Sequence, residues 1–139
     1  MESERIKISF SSFVSNYIII FLTLMLVIIV QKVEILAIGT LLIIFLIIEI
    51  LWKRLSIEYE IGNTYVSENR GIFRKTKTVL YNQTIVDVQV VQGVFGRILN
   101  FGDLYIRGYK NSIKMVGIRN PERIYKKIEE NIERYLKKR

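Results

Sequence analysis

The chain contains no cysteine and no histidine. Disulfides, thiolate nucleophiles, zinc sites built from Cys and His, and imidazole acid–base chemistry are excluded together. Aspartate occurs only at Asp87 and Asp103, and proline only at Pro121. Two carboxylates separated by a strand and a turn make neither a metal site nor an acid–base pair. With no general base, nucleophile or ligand cluster, the sequence reads as non-enzymatic, with no cofactor. The missing cysteine leaves the compartment open, because a chain without thiols is indifferent to redox poise.

What is present is unevenly placed. Half of the 139 residues are apolar, and the mean hydropathy is +0.27. From Phe10 to Trp52 only Lys32, Glu34 and Glu49 carry charge, whereas 18 of the 21 basic residues lie from Lys53 onward, against 9 of the 13 acidic ones. A greasy segment followed by a basic domain points to anionic lipid head groups or an acidic partner.

Residues 13–30 and 35–52 are two apolar stretches of 18 residues each. As helices each reaches roughly 27 Å, close to the ~30 Å hydrocarbon thickness of a bilayer. Tyr17 and Trp52 fall where interfacial aromatics belong, and Lys53-Arg54 can extend to the head groups. A cleaved signal peptide fits poorly, since Glu2 and Glu4 spoil a positive leader and no small-residue cleavage pattern follows Val30. A buried soluble hairpin also fits poorly, because Ile18 to Leu22 and Leu41 to Ile48 have no polar face. The short connection Gln31 to Glu34 makes the two spans antiparallel neighbours. The loop carries one basic residue, Lys32, and both flanks carry more, so the chain is expected to be multi-pass in the cell membrane with both termini cytoplasmic.

Glu49 is the one ionisable group inside a predicted span, and such carboxylates are functional candidates. It stands at i,i+4 from Lys53, so an interfacial ion pair is preferred here over a transport role.

Beyond Arg54 the apolar pattern becomes period-two. Leu55, Ile57, Tyr59 and Ile61 alternate with polar residues, and Gly62-Asn63 turns. Thr64 to Val66, a polar strand over residues 72–81 following an Asn69-Arg70-Gly71 turn, and the β-branched run Ile85 to Val91 follow. Val94 to Phe101 reads as helical or irregular, closing at Gly102. Leu104 to Arg107 and Ile113 to Ile118 are the last strands. A helix over residues 120–138 then begins with Asn120 as cap, Pro121 in the first position and Glu122 in the first turn. Its apolar stripe is Ile124, Ile128, Ile132 and Tyr135/Leu136. The fold class is therefore an α+β membrane protein: residues 1–12 as a cytoplasmic flank, a transmembrane helical hairpin over 13–52, and a domain over 53–139. That domain reads as a small β-barrel or sandwich capped by a C-terminal amphipathic helix. An oligonucleotide-binding type of barrel accommodates the strands but has no need of the terminal helix.

This order of pieces resembles the bacterial pleckstrin-homology (PH-like) domain in its membrane-flanked form. Tyr59 to Gly71 is similar to the family's two opening strands. The run from Ile85 through Gln92-Gly93 to Gly96-Arg97-Ile98-Leu99 resembles its strand, turn and apolar–Gly–Arg–apolar step. Phe101-Gly102-Asp103-Leu104-Tyr105-Ile106 and Asn120-Pro121-Glu122 match its next strand and its helix start. Asn100 stands where a second glycine is common, and Asn tolerates the same positive φ. The resemblance implies a helix-capped PH-like barrel and brings no catalytic residue. Phosphoinositide binding belongs to eukaryotic relatives and does not transfer by fold alone.

The residues proposed to act are Lys53, Arg54, Arg74, Lys75 and Lys77, as lipid-headgroup candidates each worth about 1 kcal/mol at an anionic surface. The bland alternative is a solvated strand face plus ordinary membrane topology. Gln92, Gly93, Gly96 and Arg97 read as structural. Phe101, Tyr105 and Tyr109 read as core or edge residues rather than base-stacking platforms, so no nucleic acid and no small-molecule substrate is expected. The leading functional reading is a membrane-tethered interaction or scaffold module that binds protein partners or self-associates as a homo-oligomer. The alternatives are anionic-lipid sensing by the basic face, and an accessory subunit of a membrane enzyme or transporter.

Overall fold

The computed structural model describes residues 3–139; Met1 and Glu2 lie outside the described residues. It is α+β, with two apolar helices near the N-terminus, two antiparallel sheets and a long C-terminal helix.

The first element corrects the reading of the N-terminal segment as a mere flank. β1 (Glu4–Lys7) is a strand, and Ile6 sits opposite Tyr59 of β2 (Ile57–Ile61). Ile6 and Ile8 are buried while Arg5 and Lys7 face outward. That alternation is present in the sequence, but four residues beside charges give too short a signal to register as a strand.

A 3₁₀ turn over Phe10–Phe13 leads into α1 (Val14–Val30), and α2 (Val33–Ser56) returns antiparallel to it. Phe10–Val30, the 3₁₀ turn and α1 together, and α2 are each long and apolar enough to cross a membrane. Gly39 on α2 is buried against Val27 and Thr23 of α1, which brings the two backbones close. α2 then runs through Ser56 directly into β2, so Leu55 is an exposed helical residue rather than the strand position expected of it. The helical hairpin is thus inserted between two paired strands, β1 and β2. Both of its ends are rooted in one sheet.

That sheet has the order β1-β2-β3-β4, with β3 (Tyr65–Arg70) and β4 (Thr76–Tyr81). The strand expected from Ile72 begins only at Thr76, and the turn starts at Gly71, because β3 pairs onward through Asn69 and Arg70. The second sheet has the order β5-β6-β7: β5 (Ile85–Val91), β6 (Phe101–Gly108) and β7 (Ser112–Arg119). Between β5 and β6 lies α3 (Val94–Leu99), so Gly102 is a strand residue and not the stop expected there. Asn100 holds φ +55°, as its sequence position required.

One apolar core joins the two sheets. Tyr59, Ile61, Leu104, Ile106, Met115 and Ile118 are fully shielded, each burial worth about 1.5–3 kcal/mol for an aliphatic side chain. The Tyr59 hydroxyl donates to the Lys114 carbonyl at 3.2 Å and accepts the Val116 N–H at 3.0 Å, tying the sheets through the core. Burial, ahead of the lowering effect of that N–H, raises the phenol's pKa above its ordinary value.

α4 (Pro121–Lys137) covers the core with Ile124 and Ile128, and Ile132 is half-buried. At the end of the stripe Tyr135 is half-buried and Leu136 is exposed, and buried Asn131 joins the covered face, its amide donating to the Gly62 carbonyl. Asn120 occupies the cap position but makes no side-chain cap bond: its backbone is left-handed, φ +49°. Proline in the first helical turn and Glu122 near the dipole's positive end remain to favour the start.

Candidate interaction surfaces

The basic residues singled out from the sequence divide into two groups. Lys53 pairs with Glu49 at 2.5 Å along α2. Arg54 is engaged inward: its Nε donates to the Ile8 carbonyl at 3.1 Å, and its guanidinium carbon lies 3.5 Å from the centre of the Phe10 ring. Cation–π packing and a carbonyl bond make Arg54 a clamp between the two roots of the hairpin. A sequence window cannot show this, because Ile8 lies 46 positions away.

Arg74, Lys75 and Lys77 stand on and beside the β3–β4 turn, and none of them makes an ion pair among the described residues. The turn begins at Gly71, whose φ is +108° and where a Cβ would lie 1.9 Å from the Arg74 carbonyl oxygen. Its N–H donates to the carbonyl of Ser56 at 2.7 Å, which fastens the turn to the end of α2. A cleft of about 470 Å³ opens there, lined by Leu55, Ser56, Glu58, Arg70, Lys75 and Lys77 among others. Arg70 is already committed to Glu68.

Phe73, at the tip of this turn, is 90 % exposed and lies 6.0 Å from the Trp52 ring, tilted by 44°. The sequence reading passed it over. A lone Phe between Ile72 and Arg74 carries no periodic signal, and its nearness to Trp52 arises only when β3 and β4 pair.

A second surface was also missed. On α3, Val94, Phe95, Ile98 and Leu99 are 44–75 % exposed. Their spacing gives one apolar face, which in a sequence reads as core. Here the helix packs down through its other face, where buried Gly96 lies against the Phe101 carbonyl, 2.5 Å from where a Cβ would be. Gln92 donates to that same oxygen at 3.1 Å, and the four apolar side chains stay at the surface. Gln92 and Gly96 are structural, as expected, and Arg97 makes no ion pair among the described residues.

The remaining candidates settle into ordinary roles. Asp103 accepts the Gly117 N–H at 2.9 Å, and Asp87 accepts the Gln89 amide. No group of carboxylates able to hold a metal ion occurs among the described residues. Tyr105 lies on the outer face of the second sheet with the Lys114 ammonium 4.8 Å above its ring, and Tyr109 is exposed in the β6–β7 turn, so neither is a core residue. Lys114 is held above its ordinary pKa by Tyr105 first and by the charge of Asp103 last.

The family model described as bacterial PH domain matches residues 14–132. No curated protein and no solved structure matches the chain.

Proposed function

The chain belongs to the bacterial PH domain family, and from that premise we propose that it is a non-enzymatic, membrane-tethered interaction module. In this reading α1 and α2 span the cell membrane, both termini face the cytoplasm, and the domain binds a protein partner or a second copy of itself. The family supports the general class of interaction module. The exposed apolar face of α3 carries the finer reading, because four adjacent apolar side chains facing solvent are what a protein interface covers.

The test is purification in native lipid nanodiscs, followed by mass determination of the intact assembly. A stoichiometric protein partner or a defined homo-oligomer is expected. The double variant Phe95→Ser, Ile98→Ser should lose it without loss of the folded domain. A monomer in both cases sinks the proposal.

A second reading rests on a separate observation. Phe73 beside Trp52, with Lys75 and Lys77 lining the cleft at the end of α2, suits contact with anionic head groups. Lys53 and Arg54 would orient the domain rather than recognise a lipid. Replacing Arg74, Lys75 and Lys77 with Glu should abolish enrichment of anionic lipid in the nanodisc while leaving a protein complex intact.

A further inference from the structure

Sheet order leaves the outer edge of β5 without a strand partner. β5 pairs with β6 alone, and no other backbone hydrogen bond reaches residues 86–91 among the described residues. Such an edge presents a row of donors and acceptors ready to template another strand.

Burial along this strand differs from that of its neighbours. The inward residues of β6 and β7, Leu104, Ile106, Ile113 and Met115, are fully shielded. On β5 the inward Ile85, Val88 and Val90 pack on the same core yet remain half-buried. α4 runs along this side without closing it, and a cleft of about 240 Å³ remains, lined by Ile85, Val88, Tyr125, Glu129 and Ile132 among others. The cleft gives an added strand both a backbone ladder and a slot for its inward side chains.

The charge at the cleft runs against that of the whole chain, which is +8. Asp87 and Glu129 line it. Arg107 sits opposite Asp87 on β6, yet the two form no ion pair among the described residues. Tyr125 donates to Glu129 at 2.7 Å. That bond first, then burial, then the charges of Glu129, Glu122 and Asp87 hold the phenol above its ordinary pKa.

The cleft lies at the edge of the sheet farthest from the strand that meets the hairpin. β7 is the strand that meets Ile8 and Ser9 at the root of the hairpin. β5 is two strand spacings away, about 10 Å.

We propose that the β5–α4 cleft is a strand-addition site for an extended, basic segment of a protein partner, alternating apolar residues with Lys or Arg. Inward apolar side chains would fill the slot beside Val88 and Ile132, and the outward basic ones would stand beside Asp87. This rests on the interaction-module reading and names its mode of binding.

The full chain in nanodiscs is titrated with a short synthetic peptide alternating Val and Lys, and with its Val/Glu counterpart, while amide hydrogen exchange is followed. Exchange should slow over residues 86–91, and the Val/Lys peptide should bind at least about tenfold tighter. The surface double variant Asp87→Lys, Glu129→Lys should erase that preference with β6 and β7 still protected. Unchanged exchange at β5, or equal binding of both peptides, overturns the proposal. Slowed exchange that depends on protein concentration alone makes the occupant a second copy and also overturns it. If the α3 double variant loses a native partner while β5 exchange is unaffected by peptide, strand addition fails and the interaction module stands.

Discussion

The helical hairpin and the two-sheet domain draw on the same aliphatic residues and place them oppositely. Leu41 on α2 is 68 % exposed, whereas Leu104 on β6 is fully buried. The hairpin buries little beyond the Gly39 seam and turns the rest of its surface outward; the domain shields its apolar side chains between its own sheets and α4. Apolar content therefore does not separate an anchor from a core. What separates them is where polar residues fall: β6 and β7 alternate, while the helices have no polar face to give to water. The proposed bilayer is the solvent that this asymmetry calls for.

Truncation on the two sides should break the comparison or sharpen it. Leu104→Ala empties a packed site and should cost the domain about 2–5 kcal/mol. Leu41→Ala removes a side chain that no protein neighbour surrounds and should leave domain stability nearly unchanged. Thermal unfolding of both variants in nanodiscs decides this; equal losses would mean that hairpin and domain share one core.

A smaller effect is expected where the two regions join. Glu4 on β1 pairs with Arg123 and Lys127 of α4, and those bonds hold its carboxyl below the usual 4.5. Its contribution is complete above about pH 4.5 and is lost as pH falls through the lowered folded-state value. Glu4→Gln should cost about 0.5–1 kcal/mol at neutral pH and flatten the stability profile below pH 4.5. An unchanged acid limb would detach β1 from the domain's energetics.

The smallest change belongs to the hairpin itself. Glu49→Gln breaks the pair with Lys53, an exposed i,i+4 contact worth about 0.3–0.5 kcal/mol. Domain unfolding should not register it, and a loss of helix content would show that the pair does more than orient Lys53.

The hairpin's two helices, the run Ile85–Val91 and the Pro121 helix start were all legible, because each rests on a local period or a residue with a special backbone preference. The Glu49–Lys53 pair was legible for the same reason, being one helical turn apart. β1 was not, since four residues acquire strand identity only through pairing with β2 across the whole hairpin. Of the basic candidates, Arg74, Lys75 and Lys77 remain available at the turn, and Arg54 proved to be a clamp. Phe73 and the α3 face were hidden because exposure of an apolar side chain depends on what lies next to it, not on its own chemistry.

Sequence by itself determined the division into an apolar hairpin and a basic strand-rich domain, and it excluded the chemistry of cysteine and histidine. Those follow from composition and from short-range periodicity, which the chain carries whatever its folded path. The tertiary structure decided that the hairpin interrupts a pair of strands, that Arg54 faces inward, and that β5 keeps an open edge beside an acidic cleft. Each of these depends on residues far apart in the chain being brought together, and only the folded sheets bring them together.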